Sequence, residues 1–269
     1  MFHLECGPVA QHGWSVRLII ERSPVQIRLG PPVFVSDSGF FFQAIPRDSP
    51  MLAPQSGKLI CWLAFSSIMI LPRSFYEREV LTVSKDLLGK ILVHDTLEGV
   101  TSGSIVETEA YRGPEDLAAH SSGGLRTRRN EMMYGEKGDA YIYFIYGMYW
   151  CFNVTAGNIP RKPEAVLVRA LEPLEGNSIM EKRRGTQNAT NLSNGPAKLC
   201  MAMGISKTQN KADLTSPPLF INDAPPIPAG NIVSATRIGV DYAEEWKDEP
   251  WRFYIKDNHF VSTYRKLQT

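Results

Sequence analysis

Glu107 and Glu109 stand two residues apart in Ile105-Val106-Glu107-Thr108-Glu109-Ala110-Tyr111, a segment with the character of a strand. Strand side chains alternate, so both carboxylates and the Tyr111 ring share one face, while Val106, Thr108 and Ala110 take the other. Two further groups could work with them. The run Tyr141-Ile142-Tyr143-Phe144-Ile145-Tyr146-Gly147-Met148-Tyr149-Trp150-Cys151-Phe152-Asn153 supplies ring faces, and Arg169 lies inside the apolar stretch Ala165-Val166-Leu167-Val168-Arg169-Ala170. Acids, rings and a guanidinium together suit a site that stacks a flat ring beside a carboxylate. Each group also has a plain structural reading. The glutamates fit the solvated face of an edge strand, and the rings fit core packing, to which Phe144 and Phe152 are assigned. A buried guanidinium needs an acid, so Arg169 is expected to face Glu109, Glu107 or, structurally, Glu172.

The elements that must hold these groups follow from local signals. Ser84 predicts the N-cap of a short helix ending before Gly89, and Ile91-Leu92-Val93 reads as a buried strand ahead of the strand Gly103 to Tyr111. Gly147-Met148 between the two aromatic strands predicts a two-residue type II′ hairpin with Tyr146 and Tyr149 at its tip. A tyrosine there is either an exposed edge or a wedge that enters something. Asn194 to Gly204 predicts a helix with Pro196 in its first turn, whose amino end can hold an anion through backbone N–H groups. Arg237 to Val240 and Trp251 to Ile255 read as two last strands. There is no internal repeat, GxGxxG, P-loop, HExxH or GxSxG.

Composition narrows the classes. A chain of 269 residues that is 43% hydrophobic can bury a core of one or two domains. Its four cysteines, Cys6, Cys61, Cys151 and Cys200, are scattered without a CxxC pair, so neither a disulfide scaffold nor a zinc or iron–sulfur metal site is expected and a reducing cytoplasm fits. Net charge is +1, and removing the five basic and four acidic residues of the first 72 leaves 24 of each. That counts against a broad nucleic-acid footprint, though Arg126, Arg128 and Arg129 cluster, as do Lys182, Arg183 and Arg184.

Residues 1–72 look unlike the rest. Little periodicity lasts through the first fifty, which include the Pro-rich Ser23-Pro24-Val25-Gln26-Ile27-Arg28-Leu29-Gly30-Pro31-Pro32, and little stable structure is expected there. The apolar run Leu59 to Leu71 is shorter than the roughly 18 to 20 residues of a membrane-spanning helix. It resembles a signal-peptide core but lacks a small-residue cleavage pair, so export is not expected. Met51 or Met69 is the expected start, with the upstream residues resembling translated non-coding sequence. Residues 73–269 are expected to form the working domain.

Taken in order, Val106-Glu107-Thr108-Glu109-Ala110-Tyr111, Gly113-Pro114-Glu115-Asp116, Ala118-Ala119-His120, Tyr143-Phe144-Ile145-Tyr146-Gly147-Met148-Tyr149, Val168-Arg169-Ala170-Leu171-Glu172-Pro173-Leu174-Glu175-Gly176 and Gly195-Pro196-Ala197-Lys198-Leu199-Cys200 resemble the alkyladenine (3-methyladenine) DNA glycosylase family of the mammalian type. The resemblance runs from about Ser74 to Ser262. It implies an α+β fold, one compact domain with a curved antiparallel sheet flanked by helices, similar to the C-terminal domain of formyltransferases. It implies base-excision repair of DNA damage by base flipping. Glu109 would be the general base, Arg169 would orient it and the water, and Tyr111, His120, Tyr143, Asn153 and Leu167 would line the base pocket. Tyr146 would be the DNA wedge. Arg126, Arg128, Arg129 and Lys198 are expected to meet phosphates. The implied partner is double-stranded DNA with damaged purines, bound by a monomer in the cytoplasm or on a bacterial nucleoid, with no cofactor and no membrane.

Elementary chemistry agrees with that resemblance. A base in a duplex must be flipped out before its sugar carbon is reachable. Cationic N-alkylated purines favour electron-rich rings by cation–π contact of about 0.5 to 2 kcal/mol, and a carboxylate stabilises a cation-like sugar while taking a proton from water. No lysine falls in the strands around Glu109, which fits water over a Schiff base. A silent stacking module and a hydrolase of free nucleosides using Glu107 and Glu109 remain open on these residues. So does one geometric conflict: a hairpin across Gly147-Met148 puts Tyr143 and Asn153 on opposite faces unless a bulge or strong twist intervenes.

Overall fold

The computed structural model describes residues 69–262 and, before them, only the backbone of strands Phe2–Val9, Trp14–Ile20, Gln26–Arg28, Phe34–Val35 and Phe41–Phe42. The first three of those strands pair in one sheet and the last two in another, within a unit Met1–Ser67. Met51, most of the Pro-rich piece and the apolar run up to residue 68 lie outside the described residues, as does 263–269 at the other end.

The unit from Ile68 onward mixes an antiparallel sheet with short helices. Its strands are β1 (Ile91–Thr96), β2 (Gly99–Tyr111), β3 (Ala140–Ile145), β4 (Tyr149–Thr155), β5 (Ala165–Glu175), β6 (Leu219–Asn222), β7 (Ile232–Ala235) and β8 (Arg252–Ile255). They run in the order β6-β1-β2-β5-β4-β3, with β8 also on β2 and β7 on β8, so the sheet does not close. The helices are α1 (Arg73–Tyr76), α2 (Val80–Asp86), α3 (Asn177–Arg184) and α4 (Pro196–Met203).

β2 is the spine. One of its edges pairs with β5 from Ser102 to Tyr111, while the other is divided between β1 over Gly99–Ser104 and β8 over Glu107–Glu109. The two glutamates are therefore central and fully buried, which overturns the edge-strand reading. Register along β5 shifts between Val168 and Ala170 and again before Leu171, and bulges of this kind add local twist and re-aim a side chain. The residue left out of the first pairing is Arg169.

Helix α2 begins earlier than its sequence signal. Glu79, not Ser84, caps it by accepting from the Thr82 N–H at 2.9 Å. Ser84 lies inside the helix, buried, donating to Thr108 Oγ1 at 3.0 Å, and Thr108 Oγ1 donates to the Ser84 carbonyl at 2.8 Å. A polar residue in a helix interior is thus satisfied across the helix–sheet seam. Val80, Val83 and Leu87 at helical spacing bury against the sheet, each worth about 1.5 to 3 kcal/mol. Helix α4 starts at Pro196 and ends on Gly204, whose φ of +67° suits glycine, and it packs Leu199, Cys200, Ala202 and Met203 into the same core. Arg237 to Val240 is a loop rather than a strand; the strand β7 ends at Ala235.

The β3–β4 hairpin corrects the predicted turn. Ile145 pairs with Tyr149, so Tyr146, Gly147 and Met148 form the loop, and the Met148 N–H donates to the Ile145 carbonyl at 3.2 Å. Tyr146 and Gly147 both have positive φ, +53° and +67°, as a mirror-image hairpin turn requires. Moving the loop by one residue flips every pairing to the other face. Tyr141 now lies opposite Asn153 and Tyr143 opposite Cys151, so all four share one face and no bulge is needed. Phe152 is core as expected, but Phe144 is 43% exposed against Trp150 on the reverse face.

Candidate active site

The two carboxylates of β2 meet two guanidiniums. Arg169 reaches both, with Nη1 3.2 Å from Glu109 Oε2 and Nε 3.4 Å from Glu107 Oε1. Beyond that shared cation the two acids part company. Glu107 Oε1 also accepts from Arg252 Nη1 at 3.0 Å and Oε2 from the Ser262 N–H at 2.8 Å. Glu109 Oε2 accepts from the Tyr111 hydroxyl at 2.9 Å and Oε1 from the Ile238 N–H at 2.8 Å. Burial opposes charge on Arg169, yet Glu109 and then Glu107 hold its pKa above the ordinary arginine value. Arg169 is a fixed cation between two acids. Glu172, the third predicted partner, binds Asn258 instead.

The bonds to Glu109 lead to a cleft of about 660 Å³, within the range of small-molecule sites. Its floor is the face that the hairpin register creates: Tyr141, Tyr143 and Ile145 from β3, Tyr149, Cys151 and Asn153 from β4, then Leu167 and Arg169 from β5. Tyr111 and the loop Ile238 to Tyr242 form one wall, and Ala118, His120 and Met133 another. Pro196 and Ala197 of α4 complete the lining. Glu109 itself is not on the wall. It sits behind Tyr111, Arg169 and Ile238 with no exposure.

Most of the lining is neutral, and six tyrosines with His120 supply its rings. His120 Nδ1 lies 2.7 Å from the Tyr141 hydroxyl, and its ring stands edge-on to Tyr143 with centroids 4.5 Å apart. Burial first, and then the Arg129 charge, lower the His120 pKa to about 4, so its imidazole is neutral at pH 7. Burial, followed by the Glu109 charge, pushes the Tyr111 hydroxyl well above its usual value and keeps it a neutral donor; burial does the same for Tyr143. Asn153 donates from Nδ2 to the Tyr141 carbonyl at 3.0 Å, which leaves its Oδ1 as the acceptor of that amide. Tyr146 stands at the mouth, 80% exposed.

Arg237 stabilises the loop that touches Glu109. Its Nη1 and Nη2 donate to Asp116 at 2.6 and 2.9 Å and to the Ala110 and Trp246 carbonyls at 3.1 Å each. The guanidinium lies 4.9 Å from the Tyr111 ring centroid and 5.0 Å from that of Trp251. The next N–H along the chain is the one that Glu109 accepts.

A profile of the methylpurine-DNA glycosylase family matches residues 74–259, a stretch that contains every residue of this cleft. The chain belongs to that family. Among similar curated proteins, the "Putative 3-methyladenine DNA glycosylase" of Clostridium acetobutylicum is 50% identical over 206 residues, covering 74% of this chain and 100% of its own. Proteins of the same name from Desulfitobacterium hafniense and Clostridium perfringens strain SM101 are 47% and 49% identical, over 71% and 72% of this chain and 98% and 99% of theirs. This member of the methylpurine-DNA glycosylase family therefore spans these relatives almost completely.

For this glycosylase-family chain the structure gathers Arg169, Tyr111, His120, Tyr143, Asn153 and Leu167 around one cleft, with Glu109 directly behind. The residues expected to meet phosphates have different partners. Arg126 is held by Glu131 through two bonds of 2.9 and 2.5 Å, Arg129 leans over Tyr143 at 5.1 Å, and Arg128 opens on a separate groove. Lys198 donates to Asn191 and Asn194 at 2.5 and 2.9 Å, and burial, then Arg184, lowers its pKa. Sequence reasoning missed Tyr141, which the two-residue period from Tyr143 could have found. It also missed Arg237 and the Ile238 to Tyr242 loop, which carry no periodic signal. Among the described residues no group of His, Cys, Asp or Glu is arranged to hold a metal, Cys151 and Cys200 are buried free thiols, and no helix is long and apolar enough to cross a membrane.

Proposed function

We propose that this chain excises alkylated or deaminated purines from duplex DNA, 3-methyladenine and 7-methylguanine first and hypoxanthine among them, by hydrolysis at a water activated by Glu109. The observation that carries the reading is the placement of Glu109: a buried carboxylate held by Arg169, Tyr111 and the Ile238 N–H immediately behind an aromatic cleft. In this reading Tyr146 fills the duplex while the damaged nucleotide enters the cleft and stacks between Tyr111, Tyr143 and His120. A neutral His120 adds no repulsion toward a cationic base. Asn153 Oδ1 and His120 meet the base edge, and the N2 amino group of normal guanine is excluded near Asn153. Leu167 helps wall the pocket.

Each carboxylate oxygen has two lone pairs, and Glu109 Oε1 accepts a single bond, from Ile238. Water bound there gives its proton to Glu109 as its oxygen attacks C1′. The N-glycosidic bond breaks with its electrons to the base, and Arg169 keeps Glu109 oriented. The product is an abasic site. With water as nucleophile there is no strand cleavage. The chain works as a monomer on double-stranded DNA in the cytoplasm or on the nucleoid, and its sheet follows the plan of the formyltransferase C-terminal domain. Incubation with duplexes each carrying one lesion, assaying free base and abasic sites, tests the reading. Release of alkylated base by the native chain and not by Glu109→Gln is expected; equal release by both overturns it.

A further inference from the structure

A duplex carries one negative charge per about 1.7 Å of axis, and this chain, with 29 basic and 28 acidic residues, must place its cations carefully to bind one. The outer edge of β3 shows such a placement. β3 is the last strand of its path, and its outward backbone groups are taken up in order along the edge. The Ala140 carbonyl accepts from the Lys211 N–H at 2.9 Å, the Ile142 N–H donates to Asn210 Oδ1 at 2.9 Å, and the Phe144 carbonyl accepts from Arg129 Nη2 at 3.2 Å. Two residues beyond Phe144 the strand turns at Tyr146. Cation-bearing residues thus line the edge of the strand that ends in the proposed wedge.

Beside that edge runs a groove of about 600 Å³ lined by Arg128, Glu131, Met132, Lys207, Asn210 and Lys211. Its one carboxylate, Glu131, is already engaged by Arg126. Among the described residues the side chains of Arg128, Lys207 and Lys211 make no hydrogen bond or ion pair, so the groove's lining holds three cations against one acid. Lys211 is also a non-glycine residue at φ +80°, a conformation that costs about 1 to 3 kcal/mol and persists only where its surroundings impose it. Here the Lys211 N–H and the bond from the Ala140 N–H to the Ala212 carbonyl, 2.8 Å, impose it.

We propose that this groove is a second DNA contact, taking backbone phosphates several base pairs from the extruded nucleotide, so that the duplex follows the outer edge of β3 from Tyr146 toward Lys211. The proposal rests on the reading of Tyr146 as a DNA wedge. From Ala140 to Tyr146 the strand rises about 20 Å, at roughly 3.3 Å per residue. At about 3.4 Å per nucleotide of one strand, that distance corresponds to roughly six phosphates.

The test measures dissociation constants against salt for the full chain, Lys207→Gln/Lys211→Gln and the control Lys182→Gln/Lys247→Gln, on duplexes with three or eight base pairs on each side of one lesion. For the eight-base-pair flanks, loss of two phosphate contacts lowers the slope of log affinity on log salt by about 1.8. The short duplex is expected to show no such difference, because it ends before the groove. An equal loss on both duplexes, an equal loss in the control, or no loss in either overturns the proposal. Base release by the native chain is scored in parallel: release with an unchanged slope removes the groove and keeps the excision reading, whereas a reduced slope without release does the opposite.

Discussion

Glu107→Gln and Glu109→Gln are nearly the same chemical change on one strand face, yet the structure assigns them different outcomes. Glu107 serves Arg252, Arg169 and the Ser262 N–H, so its neutralisation takes the acid from Arg252 and leaves Arg169 with Glu109 alone. Removing one partner of a buried ion pair costs about 3 to 5 kcal/mol, and the amide oxygen retains one bond, which favours the lower end. At roughly 2 to 4 °C per kcal/mol for a domain of this size, the melting midpoint falls by about 6 to 12 °C. Base release below that midpoint stays within tenfold of the native rate. In Glu109→Gln the carbonyl keeps the Ile238 N–H, the amide can donate to the Tyr111 oxygen, and Arg169 keeps Glu107. The stability loss is accordingly smaller, about 1 to 3 kcal/mol. What disappears is the proton acceptor, worth about 10² to 10⁴ in rate, or roughly 2.7 to 5.4 kcal/mol of barrier. Single-turnover release of 3-methyladenine with enzyme in excess, alongside thermal unfolding of both variants, separates the two effects. If Glu107→Gln lost more than a hundredfold while folded and Glu109→Gln stayed within tenfold, the roles assigned from these hydrogen bonds would be reversed.

Other outcomes follow from single contacts. His120 is depressed to about 4 from an ordinary 6.5, so the unfolded chain takes up this proton first and stability is lost as pH falls through that window. At about 1.36 kcal/mol per pH unit the full loss is at most about 3 kcal/mol, and urea unfolding at pH 7 and 4.5 should show a smaller decline in His120→Gln than in the native chain. Tyr146→Gly removes a side chain from a φ of +53° and is expected to raise stability by up to about 1 kcal/mol while slowing excision, more on duplex than on single-stranded lesions. Arg237→Lys gives up the paired bonds to Asp116; base release should slow with little change in lesion-DNA affinity, and an unchanged rate would show that Arg237 does not hold Ile238 against Glu109.

Much of this arrangement was legible in the residues because strand periodicity is local. The shared face of Glu107, Glu109 and Tyr111, the two aromatic strands, the helix from Pro196 to Gly204 and the demand of Arg169 for an acid all follow from types and spacing, and the ordered motifs carried the family. Turn register was not legible. Gly147 is the natural first residue of a II′ turn, but in the fold Tyr146 takes a left-handed conformation that its sequence disfavours, and that one-residue change brought Asn153 to the face of Tyr143. Phe144 shows the same limit, since an aromatic on a strand can pack inward or stack outward on Trp150 with the same local pattern.

By itself, then, the sequence determined the family, the strand faces and the presence of two acids near a guanidinium. Only the tertiary structure decided between those acids. Glu107 and Glu109 are indistinguishable by period, and what separates them arrives from distant parts of the chain: Arg252 and Ser262 close around Glu107, whereas the Ile238 loop, held by Arg237 on Asp116, joins the neighbouring Tyr111 on Glu109 and sets it behind the cleft. A carboxylate's chemistry depends on who donates to it, and donors more than a hundred residues away in sequence leave no mark on the local pattern.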